Sequence, residues 1–433
     1  MSKASADLAV GPSARPIAET GVGRPAREVF TAVTGRPHVH AATSRDVAFD
    51  ILRAFVTVLV VADHSVLAYA LLSPAAAPSN PLHPWLAGIP IVDSHRLIVF
   101  DLFGLFTDTF FMSLMFLLSG LFVGPSLSSK GSRRFLRGRA LRLGAPLVVV
   151  ALLTPLAYYP AYRASTADPS ALAFWREWLS LGFWPVGPMW FVGVLLGFDV
   201  VAAGLHGFAP VLFERIGRLT SVGRRRPTAV FAVLLLVSAA AYLPLRGAFG
   251  PDSWVSVGPF AVQGSRALHY LVYFLVGVAI GDCRIDNGLL APDGRLVRRW
   301  FLWTLSALGL FVLYVAFLVG LAPGGWTAGL PALARRLIPG LGFVLCCGAI
   351  SFAMLAGFQR FANAPTPVLT SLSRNAYGIY MMHYGFVMWL QYALLPAALP
   401  AAGKAAIVLS VTLAASWTAT AALRRIPAVD RVI

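Results

Sequence analysis

Ten runs of apolar residues, each near the length a helix needs to cross a bilayer, alternate with short polar breaks along this chain of 433 residues. They fall at about 47–72, 102–123, 142–160, 187–206, 228–246, 265–281, 300–321, 335–357, 374–395 and 403–423. Runs of 17 to 26 residues suit helices, which satisfy every backbone N–H and C=O internally. No strand-like alternation appears on that scale. The pattern predicts an all-α fold, a polytopic transmembrane helix bundle of about ten spans. Ahead of it, residues 1–45 are rich in Ala, Gly, Pro and Thr and hold no apolar run. Without a hydrophobic segment or a cleavage site they are not a secretory signal peptide, and they read as a disordered basic cytoplasmic tail. The membrane domain is expected over 46–424 and a short cytoplasmic C-terminal tail over 425–433. No appended soluble domain, repeat of fixed period, P-loop, zinc spacing or dinucleotide-type Gly motif is found.

Composition agrees with this reading. Of all residues 58% are apolar and 12% charged, with a mean hydropathy of +0.74. A soluble domain carries about twice that charged share. A net charge of +17 would suit a nucleic-acid binder only if it were gathered on one surface. With the tail inside, 26 of the 35 Lys and Arg fall in the tail, in or beside the breaks near 124–141, 207–227, 282–299 and 358–373, and at the C-terminus. Eight fall on the other side, and Arg53 lies within the first span. That asymmetry is the positive-inside pattern, so the charge reports topology and no nucleic-acid partner is expected. Both termini are expected in the cytoplasm, with loops near 73–100, 161–186 and 247–264 outside. Three cysteines exclude a disulfide scaffold; Cys283 is expected in the cytoplasm, and Cys346 and Cys347 share an apolar helix. His38 and His40 in the tail lack further ligands, and no metal site is expected.

Ionisable groups inside a span are costly and mark function. The first span holds Asp50, Arg53, Asp63 and His64. Arg53 and His64 are 11 residues apart, about 20° past three full turns, so they share one face about 16 Å apart with Thr57 between them. Asp50 lies one turn below Arg53 and can pair with it. An interfacial ion pair with a snorkelling Arg53 is the plain alternative; His64, deeper in the run, needs polar partners. Asp63 points about 100° away and is expected to orient a neighbouring helix. The ninth span repeats the pattern, placing Ser373, Tyr377, Tyr380, His383 and Tyr384 along one side. Two mid-membrane histidines, each on a polar stripe, predict a shared cavity crossing much of the membrane. In the second span Phe110-Phe111 and Met115-Phe116 lead into Ser119-Gly120, where glycine permits close backbone approach. Arg133, Arg134, Arg137, Arg139 and Arg142 follow. Their guanidinium forks suit a polyphosphate ligand, although positive-inside topology alone also demands a basic loop here. Trp190 opens the fourth span, a usual place for an interface anchor.

These residues resemble the bacterial integral-membrane acyltransferase-3 family. The resemblance rests on Arg45-Asp46 and Asp50–Arg53 followed by His64, on Met115–Gly120, on Arg139, Arg142 and Pro146, on Trp190-Phe191, and on Ser373, Tyr377, Tyr380 and His383. The marks run in the family's order across residues 45–384. The run from Arg134 to Pro146 looks most like the branch of glucans biosynthesis protein C, which succinylates periplasmic glucans. The resemblance implies a multi-pass enzyme of the cell (inner) membrane. It would move an acyl group from cytoplasmic acyl-CoA to an extracytoplasmic glycan or glycolipid hydroxyl, with no permanently bound cofactor. By the same analogy His64 is catalytic, Arg53 partners it in donor handling, and Arg139, Arg142 and the adjacent Arg137 meet the donor's phosphates. Asp50, Thr57, Ser119, Trp190, Tyr377, Tyr380 and His383 would line the substrate cavity. Met115 stands where a second Phe is common and Ala376 where a Ser usually precedes the Tyr, and no periplasmic hydrolase-like domain is fused. These departures leave the acyl group and the acceptor open. So does the choice between His64 as general base and as covalent carrier. A solute exporter or lipid flippase is the rival reading, but transporters usually show internal repeats with interrupted helices. A scaffold would leave the histidines unexplained.

Overall fold

The computed structural model describes residues 44–73, 83–167, 169–282, 288–362, 364 and 366–433. The expected tail up to residue 43, with His38 and His40, and also Cys283, lie outside the described residues. In chain order the helices are α1 (Ser44–Leu67), α2 (Ile98–Gly120), α3 (Val123–Lys130), α4 (Ser132–Arg139), α5 (Ala145–Ser165), α6 (Ala171–Ser180) and α7 (Trp190–Phe208). They continue with α8 (Pro210–Val222), α9 (Pro227–Phe249), α10 (Ala267–Asp282), α11 (Trp300–Gly320), α12 (Ala332–Phe361), α13 (Pro367–Leu394) and α14 (Ala401–Leu423). Each of the ten expected runs holds a helix.

Seven of these helices are long and apolar enough to cross a membrane: α2, α5, α7, α9, α11, α12 and α14. The other three fall short for different physical reasons. α10 is apolar but only 16 residues long. α1 and α13 have 24 and 28 residues, but carry the charges, imidazoles and hydroxyls singled out above. Their lower hydropathy is the chemistry itself.

Some expectations are corrected. The first span ends at Leu67, five residues early, because Tyr69 and Ala70 turn back to pair with Leu97. The 247–264 loop adds an element that the pattern of long runs did not predict, an antiparallel hairpin of β1 (Trp254–Val257) and β2 (Phe260–Gln263). Its aromatic and β-branched residues favour that pairing on a scale far below a span. The breaks are also not plain loops, since α3, α4, α6 and α8 occupy them. Near the C-terminus Arg424 Nε donates to Asp430 at 2.8 Å, and Ile433 packs on the main core.

Glycines and prolines explain how the helices meet. Gly120 and Gly124 on α2–α3 face Gly277 and Gly281 on α10, so that a Cβ added at Gly277 would strike the Leu117 carbonyl and one at Gly281 the Leu121 carbonyl. Such spacing of small residues lets helix backbones touch in a membrane. Gly120 was expected to allow this approach. Inside α5, Pro155 and Pro160 lack the N–H that would bond the carbonyls of Ala151 and Leu156. Both orphaned carbonyls are met by tryptophan: Trp184 Nε1 donates to Ala151 at 2.7 Å and Trp389 Nε1 to Leu156 at 3.0 Å. An unsatisfied carbonyl facing hydrocarbon costs several kcal/mol, so these indoles make the prolines tolerable.

Candidate active site

α1 sits among α2, α13, α14 and α12, while α13 also packs on α5. This places the polar stripes of α1 and α13 against each other. The rings of His64 and His383 lie 5.1 Å apart, edge to face, and Tyr384 stands 5.6 Å from His64. His64 Nδ1–H donates to the Val60 carbonyl at 2.8 Å, and His383 Nδ1–H donates to the Tyr380 carbonyl at 2.6 Å. A carbonyl only accepts, so each bond fixes the proton on Nδ1 and leaves a lone pair on Nε2. The two histidines differ in exposure: His383 is fully buried, its Nε2 unpartnered among the described residues, whereas His64 is only half-buried. Of the two imidazoles His64 is thus the more exposed, with His383 packed beside it.

Other bonds hold the pair in place. Gln391 Nε2 donates to the His64 carbonyl at 2.9 Å. Thr107 Oγ1 donates to Asp63 at 2.7 Å, so Asp63 orients α2, as its direction on α1 predicted. Tyr380 donates to the Pro188 carbonyl. Tyr384 packs edge to face on Tyr158, ring centroids 5.7 Å apart, and is covered by the backbone at Gly187, whose φ of 53° suits glycine and whose missing Cβ makes room for the Tyr384 ring.

About 16 Å along α1 lies a second cluster. Arg53 pairs with Asp50 at 3.2 Å and lies over the Phe122 ring. Arg139 is gripped by Asp199 of α7 in a fork, Nε at 2.7 Å and Nη2 at 3.1 Å. Arg139 lies near enough to Arg53 and Tyr377 for their charges and dipoles to interact. Each of the two guanidiniums is thus paired with a carboxylate of its own, Arg53 with Asp50 and Arg139 with Asp199. The turn joining α4 to α5 is a wide π-turn, Ala140–Gly144, a local form frequent at functional sites. Tyr377 donates to the Arg142 carbonyl there at 3.1 Å.

Not every expected residue joins these clusters. Thr57 is buried and its hydroxyl is spent on the Arg53 carbonyl; Ser373 donates to the Asp50 carbonyl. The side chains of Arg137 and Arg142 are exposed. Ser119 is half-buried beside the glycine contact of α2 with α10. Trp190 turns away to Tyr270 and Trp254, 5.8 and 5.4 Å off. A cavity of about 520 Å³ reaches the histidines' neighbours Tyr380 and Tyr384, but Arg53, Thr57 and His64 do not line it; it lies between α5 and α13. This cavity therefore does not join His64 to Arg53. Sequence reasoning passed over Asp199, although a carboxylate inside a span is the very signal that marked α1.

A family model described as an acyltransferase domain matches residues 46–421. No curated protein and no solved structure matches the chain.

Proposed function

The chain belongs to the acyltransferase-3 family, and from that premise we propose that it transfers an acyl group from cytoplasmic acyl-CoA to a hydroxyl of an extracytoplasmic glycan or glycolipid. It is a membrane acyltransferase. We take all ten long helices as spans of the cell (inner) membrane, with both termini in the cytoplasm. The Arg134–Pro146 run makes succinyl-CoA the first donor to test.

The observation that carries the reading is His64, half-buried, with Nδ1–H tied to Val60 and its Nε2 lone pair left for a proton. In the proposed step Nε2 takes the proton of the acceptor hydroxyl as that oxygen forms its bond to the thioester carbonyl carbon. The C–S bond then breaks, and the coenzyme A sulfur leaves with the proton held by His64. An ester and free coenzyme A result. Positioned proton transfer of this kind contributes typically 10²- to 10⁴-fold. Arg53, about 16 Å away, is too far to touch the reacting carbonyl and is assigned to the donor's phosphates together with Arg139. Tyr384, whose ring stands beside His64, is the hydroxyl we assign to the developing oxyanion.

The test uses the purified chain in nanodiscs, a panel of acyl-CoAs that includes succinyl-CoA, and free-thiol release as readout. His64→Gln keeps similar size but removes the base. Turnover should fall about 10²-fold or more while coenzyme A affinity persists. Near wild-type turnover in that variant would refute the assignment and promote His383.

A further inference from the structure

We propose that the cleft between α5 and α13 seats the hydrocarbon chain of the acceptor, so that the acceptor is a membrane lipid presented to His64 sideways from the bilayer; this deepens, and rests on, the acyl transfer proposed above. The cleft holds about 520 Å³, within the usual size of a ligand site, and is walled by Leu153, Ala157, Met381, Phe386 and Trp389. Its outer lip is exposed at Leu153, Leu156 and Trp389, while its inner wall at Met189, Tyr380 and Met381 is buried. It therefore opens from the hydrocarbon toward the bundle interior. Its floor ends on Tyr380 and Tyr384, the ring neighbours of His383 and His64. An alkyl chain lying there would leave its polar head at the two tyrosines that flank the imidazoles.

Two features show that the cleft is built. Pro155 and Pro160 interrupt the α5 wall along the cleft, and the indoles of Trp184 and Trp389 hold that interrupted backbone in a fixed form. On the facing wall α13 offers Gly385, where an added Cβ would meet nothing within 4 Å. A side chain there would fit sterically and fill the space, yet the position carries none.

The place of the cleft assigns its occupant. On α13 the level of the arginine cluster is marked by Tyr377, bonded to Arg142. Gly385 and Trp389 lie 8 and 12 residues further, about 12 to 18 Å along the axis and beyond the histidines. A donor whose phosphates are held at Arg53 and Arg139 arrives from the opposite end. An opening toward lipid is what a bilayer-borne acceptor uses, and a donor arriving from water has no need of it.

The full chain in nanodiscs of phosphatidylethanolamine and phosphatidylglycerol is illuminated with dodecyl β-D-glucoside carrying a diazirine midway along its chain, and adducts are mapped by peptide mass spectrometry. Adducts should concentrate on residues 150–157 and 381–389, and unlabelled dodecyl glucoside should displace them where glucose does not. Gly385→Phe should lower that labelling about tenfold or more, as misfit in an apolar pocket does, with coenzyme A affinity unchanged. If that variant fails to fold, Ala157→Leu on the other wall serves as the plug. Adducts spread equally onto the lipid face of α11, insensitive to the plug, would overturn the proposal in favour of bulk lipid. Preferential labelling of the cleft by a diazirine dodecanoyl-CoA, displaced by dodecanoyl-CoA, would overturn it in favour of the donor's own chain. Cleft labelling without thiol release from any acyl-CoA would sink the acyltransfer reading and leave the cleft standing. His64-dependent thiol release with uniform labelling would do the reverse.

Discussion

Lys404, in the second turn of α14, has no exposed surface, and it is tolerable there because Asp93 Oδ2 lies 2.7 Å from its Nζ. Asp93 belongs to the loop before α2, outside the spans. Burial pushes its carboxyl pKa upward, but the Lys404 ammonium and bonds from the His95 backbone and ring outweigh this and hold it below the ordinary carboxylate value. A depressed folded pKa gives stability that is present above the unfolded value, about 3.9, and lost as pH falls through the folded one. Lys404→Met should therefore cost about 3–5 kcal/mol at neutral pH, since it strands a buried carboxylate, and the loss should shrink as pH falls and that carboxylate takes a proton. Replacing both partners, Asp93→Leu with Lys404→Met, should recover most of that loss. Unfolding in detergent from pH 3 to 8 checks both; unchanged stability of Lys404→Met at neutral pH would show that the pair contributes nothing. At this scale the sequence disclosed half of each contact. The stripe Arg53–Thr57–His64 and the meeting of His64 with His383 were legible because helical period and burial cost act within one helix. Asp199 with Arg139, 60 residues apart, and Lys404 with Asp93, 311 apart, were not, because only tertiary packing chooses such partners.

At the scale of elements, the ten helices were legible because a hydrocarbon environment fixes both length and composition of what crosses it. Their ends, the hairpin and the small amphipathic helices were not, since those depend on local turns that no long apolar run announces. α5 shows how a sequence liability becomes a shape. Two prolines in a span would each leave a carbonyl bare, and two tryptophans from elsewhere in the chain satisfy them. A double-mutant cycle tests this arrangement. Trp389→Phe should destabilise the wild-type chain by about 1–3 kcal/mol, the cost of an unpaired polar group. In a Pro160→Ala background the same change should cost much less, because the restored Ala N–H can take the Leu156 carbonyl along the helix. Equal losses in both backgrounds, measured by unfolding in detergent, would mean that Trp389 acts through packing alone.

For the molecule as a whole, direction is set by charge. The split of 26 basic residues against 8 holds only if the number of crossings is even and each long helix crosses once. The weakest link is α10, whose 16 residues span about 24 Å against a hydrocarbon core of about 30 Å. A short span is met by local thinning of the bilayer, and its glycine contacts with α2 hold α10 inside the bundle, so we expect it to cross. If it does not, everything after it changes sides, the C-terminus parts company with the tail, and α13 runs the wrong way relative to α1. The arginine cluster and the cleft would then no longer mark opposite leaflets, and the assignment of donor and acceptor would lose its basis. Cysteines at Thr166 and Ser253 should react with an impermeant maleimide in intact cells, whereas native Cys283 and a cysteine at Ser129 should react only after permeabilisation. Reaction of Cys283 in intact cells, on the same side as position 253, would remove α10 from the membrane. Protection of both 166 and 253 would invert the whole arrangement, putting the arginine pair outside and the cleft in the inner leaflet.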